Sequence, residues 1–85
     1  MNVKPATSRY RYTVLVDYEP DSDFYVAYIP VLGLVTQGDT VEHAYEMAQE
    51  IIELTLESAV EDGEELPVER NLTIRQIDVD VPVTV

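Results

Sequence analysis

The stretch TVEHAYEMAQEIIELTLESAVEDG, Thr40 to Gly63, constrains this chain more than any other part of it. Its apolar residues recur at spacings of three and four, the period of an α-helix, with no proline to interrupt them. Asp39 or Thr40 can accept a hydrogen bond from an orphan N–H of the first turn, and Gly63 is a helix stop. The spacing predicts a helix over residues 40–62. Such a helix needs a surface to cover its apolar side, and an 85-residue chain has little else from which to build one.

The faces of that helix are unequal. At about 100° per residue, Val41, Ala44, Tyr45, Ala48, Ile52, Thr55, Leu56 and Ala59 share a stripe of about 120°, expected to lie on a sheet. Met47, Ile51 and Leu54 form a second stripe beside it, bringing the apolar arc to about 200°. Glu42, Glu46, Glu50, Glu53, Glu57 and Glu61 take the opposite face. One small sheet cannot cover the whole arc. The second stripe is either covered by loops and terminal segments, or is a contact for an oligomer or a partner.

The sheet is written upstream. YRYTVLVDY alternates with period two, placing Tyr10, Tyr12, Val14, Val16 and Tyr18 on one side, and predicts a strand over Tyr10–Tyr18. The residues EPDSD make a turn, and FYVAYI (Phe24–Ile29) is a second strand, antiparallel to the first because the connection is short. Pro30 and Gly33 end it, and LVTQ (Leu34–Gln37) is a short third strand. After the polar loop EDGEELPVERN, the segment LTIRQIDVDVPVTV predicts a last strand. Its apolar phase slips at Arg75–Gln76, which a β-bulge would absorb, and Pro82 confines it to an edge. The expected fold is α+β, in the order β-β-β-α-β: one antiparallel-rich sheet packed by one long helix. Residues 1–85 are read as a single domain, with 1–9 as a flexible N-terminus.

Charge sharpens the functional question. Seventeen acids face five Lys and Arg, a formal charge of −12. Between Tyr12 and Glu69 there are 15 acids and no Lys or Arg. Such a surface repels phosphates, so direct nucleic-acid binding is not expected, and it steers a basic partner inward. General solubility or a salty cytoplasm would also explain it. With no cysteine there is no disulfide framework or thiolate metal site. No signal-peptide h-region or bilayer-length apolar run occurs, so a cytoplasmic location without membrane contact is the default.

Catalytic constellations are missing. His43 falls among glutamates as a solvated first-turn residue. Counted from Asp17, the acidic turn puts Ser22 and Tyr28 where a calcium loop needs Gly and Glu. No Gly-rich phosphate loop or paired mid-strand carboxylates are present. The chain reads as a non-enzyme with no cofactor and no metal.

The segment from Tyr12 to Pro67 resembles HicB-type antitoxins. The resemblance is carried by Tyr25, Pro30, Gly33, Thr36, Gly38, Thr40, Ala44, Ala48, Gly63, Leu66 and Pro67, in order and spacing, and extends over residues 12–81. It implies a partial ribonuclease H-like fold without catalytic carboxylates, in which Pro30, Gly33, Gly38, Thr40, Gly63 and Pro67 are structural. It further implies a partner, a small basic HicA-like toxin that cleaves mRNA, and self-association into a homo-oligomer. A C-terminal DNA-binding region, common in that family, is not expected here. On this reading Met47, Ile51 and Leu54 are an oligomer or partner contact, and the six helix glutamates are a partner-facing surface. The alternative is a homo-oligomeric structural module with no toxin.

Overall fold

The structure, a computed structural model, describes residues 8–84. The reading of 1–9 as a flexible terminus falls mostly on residues outside that range. Three strands form an antiparallel sheet in the order β1-β2-β3: β1 (Leu15–Glu19), β2 (Phe24–Ile29) and β3 (Leu34–Gly38). A 3₁₀ turn, Pro30–Leu32, joins β2 to β3, and the helix α1 runs Val41–Glu61. The α+β layer of one long helix on one sheet is therefore present.

The hairpin between β1 and β2 closes through local chemistry. Asp23 takes a left-handed φ of 54°, its N–H bonds the Glu19 carbonyl (2.9 Å), and its carboxylate accepts the Tyr18 hydroxyl (2.7 Å). A short polar side chain tolerates that φ better than a bulky one. Tyr18 and Tyr25 stand opposite each other, with ring centroids 5.1 Å apart and the rings tilted by 53°. The hydrogen bond to Asp23 is the main reason the Tyr18 phenol is held above its ordinary pKa.

Strand β1 is shorter than the predicted Tyr10–Tyr18. The ladder begins at Leu15↔Tyr28 because β2 ends one residue later, where Pro30 starts the 3₁₀ turn and offers no N–H. Residues 10–14 run on without a strand partner, although Tyr12, Val14 and Val16 still pack on the core. The turn stops at Gly33, whose φ of 64° lies where a Cβ is disfavoured.

The helix ends follow side-chain rules. Thr40 accepts from the His43 N–H (3.0 Å), and the His43 Nδ1 in turn accepts from the Asp39 N–H (3.0 Å). This resembles a capping box, with histidine in the place usually held by Glu or Gln and its return bond taken from the residue before the cap. At the other end Gly63 (φ 70°) closes a Schellman motif, with Glu64 N–H on the Ala59 carbonyl (2.8 Å) and Gly63 N–H on Val60 (3.1 Å). Thr40→Ala removes the cap and should lower stability by about 1 kcal/mol in urea denaturation, with the unfolding slope unchanged.

The core is small: Ala27, Ile29, Ala44 and Ala48 are the fully buried residues, with Val16, Leu34, Ile51 and Ile52 packed around them. The packed face of α1 is thus centred on Ala44, Ala48, Ile51 and Ile52. Val41 and Tyr45, predicted to lie on the sheet, are exposed. The helix rides on β3 and β2 and scarcely touches β1. Two alanines at the contact bring it close to the sheet and turn the bulky flank outward.

The fourth strand is not found among the described residues. Residues 72–84 form no ladder with any other described residue and are exposed throughout, so the bulge expected at Arg75–Gln76 has no ladder to interrupt there. They draw the molecule out to 76 × 29 × 20 Å, with a radius of gyration of 17.7 Å against roughly 12 Å for a compact chain of this length.

Candidate protein-docking surfaces

Among the described residues, no group of three or more His, Cys, Asp or Glu is placed to hold a metal ion. No helix among the described residues is long and apolar enough to cross a membrane. What the protein does present is surface. It exposes 7574 Å², against roughly 5,100 Å² for a compact monomer of its mass. Four features stand out on that surface.

The acidic face of α1 is the first. Glu42, Glu46, Glu50, Glu53, Glu57 and Glu61 are all exposed. They fall in two i,i+4 ladders, 42–46–50 and 53–57–61, without an intervening cation. Like charges at that spacing repel by about 0.2–0.5 kcal/mol per pair. Only Glu42, beside the helix N-terminus, and Glu53, which accepts from the Gln49 amide (3.1 Å), gain a local partner for their charge.

The second feature is the flank of α1 expected to bear a contact. Ile51 packs against the core, Met47 is half-buried, and Leu54 stands 60% exposed. Leu54 neighbours Glu50 and Glu57 on the helix surface, which makes it an apolar knob with acids on both sides.

The third is the sheet face turned away from α1. Leu15, Tyr28 and Val35 are directly opposite one another across all three strands, and all three are exposed. Sequence reasoning passed over this row. Its signal was present, because FYVAYI is apolar in both phases, whereas a one-helix layer covers a single sheet face.

The fourth is the C-terminal segment and its mooring. The Tyr12 hydroxyl donates to the Pro67 carbonyl. The Glu69 carboxylate accepts from both the Thr13 N–H (2.7 Å) and the Thr13 hydroxyl (2.7 Å). Burial holds the Tyr12 phenol above its ordinary pKa, and Tyr10 and Glu69 push it the same way. Beyond this mooring Asn71 adopts a φ of 56° and the chain departs. Ile74, Ile77, Val79, Val81 and Val83 project into solvent, Ile77 76% and Val83 79% exposed. Beside the mooring, between the chain leading into β1 and α1, an open groove is lined by Arg9, Arg11, Tyr12, Val14, Tyr45 and Ile52, among others.

Known proteins resemble the chain over most of its length. A UPF0150 protein of Synechocystis is 37% identical over 71 residues, 82% of this chain and 87% of its own. A UPF0150 protein of Thermotoga maritima is 30% identical over 70 residues, 81% of this chain and 89% of its own. An antitoxin HicB of Photorhabdus laumondii is 33% identical over 75 residues, which cover 88% of this chain and 47% of that antitoxin. No protein-family model and no solved structure matches.

Proposed function

Because this chain belongs to the HicB-like family of UPF0150 proteins, we propose that it acts as an antitoxin, a non-catalytic protein that docks onto a small basic mRNA-cleaving toxin and masks it. The observation that carries this reading is the acidic helix face. Six exposed glutamates without a compensating cation cost the free protein stability, and a basic partner turns that cost into attraction. Leu54 adds the apolar contact that charge cannot supply, and Met47 and Ile51 stiffen its base. An RNA-cleaving enzyme must present a basic surface to its substrate, and a negative surface of matching extent blocks it by direct competition.

The test is to read the reading frames adjacent to this chain's gene for a small basic protein, and to measure its binding to this chain and the inhibition of its RNA cleavage. Sub-micromolar association, slowed by added salt, and arrest of RNA cleavage at stoichiometric addition are the expected results. Failure to form a complex at low salt overturns the proposal. A second reading, a self-assembling structural module without a toxin, is favoured by the unpaired C-terminal segment, and it is the reading left standing if no toxin binds.

A further inference from the structure

We propose that the C-terminal segment, residues 72–83, is a donated strand: two copies exchange it reciprocally, each adding it to the free edge of β1 in the other. This goes beyond the antitoxin reading and holds whether or not a toxin is bound.

Four observations carry it. First, the segment is a strand by pattern and lacks only a partner. Ile77, Val79, Val81 and Val83 are in one phase, with Gln76, Asp78, Asp80 and Pro82 in the other. In the added position this strand becomes the new edge, the place in a sheet where Pro82 is tolerated. Twelve residues span roughly 40 Å, ample to run the length of β1.

Second, the receiving site is built. Strand β1 is an edge of the sheet and α1 barely covers it, and the chain leading into β1 (residues 8–14) bounds with α1 a groove in which Val14, Tyr45, Ile52 and Leu56 are flanked by Arg9, Arg11 and Glu53. A strand on that edge lays one phase of its side chains into this groove, while its backbone completes the ladder. At Thr13 an acceptor already occupies the outer side of this segment, since the Glu69 carboxylate takes the Thr13 N–H where a strand carbonyl would sit.

Third, the chain turns its own segment away from its own edge. Glu69 is moored at Thr13, next to the groove, and two residues later Asn71 at φ 56° sends residues 72–84 outward. A strand-forming segment moored beside an edge that pairs with no other strand among the described residues, but directed off the body, is the geometry of exchange.

Fourth, charge selects the contact. Residues 12–69 carry 15 acids and no Lys or Arg, so two bodies repel when brought face to face. The segment beyond Glu69 has Arg70 and Arg75 against Asp78 and Asp80, and is neutral. It is the one long element of the described chain that can approach another copy without that penalty, and Arg75 can meet the acids that surround β1. The surplus exposed area, roughly 2,500 Å², exceeds the roughly 800 Å² per partner of a standard interface.

The experiment uses the full chain alone. Light scattering after gel filtration should give twice the protomer mass. Amide hydrogen exchange should show residues 73–83 protected, with that protection lost on dilution through the dimer dissociation range. The double variant Ile77→Asp, Val79→Asp should weaken association by at least ~100-fold while helical circular dichroism is retained. A monomeric wild type overturns the proposal, whether residues 73–83 exchange freely or are protected as a strand within one chain. A dimer whose residues 73–83 exchange freely also overturns it, as does a folded double variant that dimerises like wild type. If the double variant does not fold, the exchange pattern of the wild type decides alone.

Discussion

Gly38→Ala should cost about 3 kcal/mol or more, over half of the stability of a domain this small. A Cβ built on Gly38 lies 2.4 Å from the Ala44 nitrogen and 2.7 Å from the His43 carbonyl carbon. Both are backbone atoms of the first turn of α1, so no rotamer change relieves the contact. The helix must lift from β3 by roughly 1 Å, and that gap would open under Ala44 and Ala48, two of the four fully buried residues. Domains of this size have total stabilities on the order of 5 kcal/mol. Gly33→Ala and Gly63→Ala provide the control. A Cβ at either meets nothing within 4 Å, and the left-handed φ alone costs about 1 kcal/mol. Urea midpoints for the three variants decide it: if Gly38→Ala is no worse than the other two, the close approach of α1 to β3 is wrong.

That close approach also shows which parts of the fold were legible in the sequence. The helix and its ends were, because capping is a local matter: Thr40, His43 and Gly63 bond within a few residues of themselves. The β1–β2 hairpin was legible for the same reason. The azimuth of the helix was not. A hydrophobic stripe weights Val41 and Tyr45 by their apolar character, whereas packing is set by who can come nearest. Ala44 and Ala48 can, over a glycine, and the larger residues are left at the rim.

Pairing beyond the hairpins was the least legible. LTIRQIDVDVPVTV has the composition of a strand and, on either side of the slip at Arg75–Gln76, its period. Whether it has a neighbour depends on where the chain stands after Glu69, a long-range fact held by Thr13 and Tyr12 more than fifty residues upstream. The same limit hid the row Leu15–Tyr28–Val35. Its members become adjacent through the register of two strand pairings, and no single strand announces it. The candidate contact residues divide accordingly. Leu54 is open to solvent, but Ile51 is partly committed to the core, a distinction that one helical wheel cannot draw.

On the proposed function, replacing Glu46 and Glu57 by lysine should move stability and binding in opposite directions. Each residue sits in the middle of an i,i+4 ladder of glutamates, so each substitution turns two repulsive pairs into two attractive ones. The free protein should gain about 1–2 kcal/mol, read as a higher urea midpoint with the slope unchanged. The same exchange places two positive charges on the surface offered to a basic toxin. Association should slow by roughly 10-fold or more at low salt, with the difference from wild type shrinking as salt is added. A face kept only for solubility gives the first effect without the second. A face that binds through apolar contact alone gives no salt-dependent difference, and there Leu54→Asp would be the more damaging change. A glutamate face held for a basic partner requires opposed signs in these two measurements, whereas a face held for solubility requires only the gain in stability.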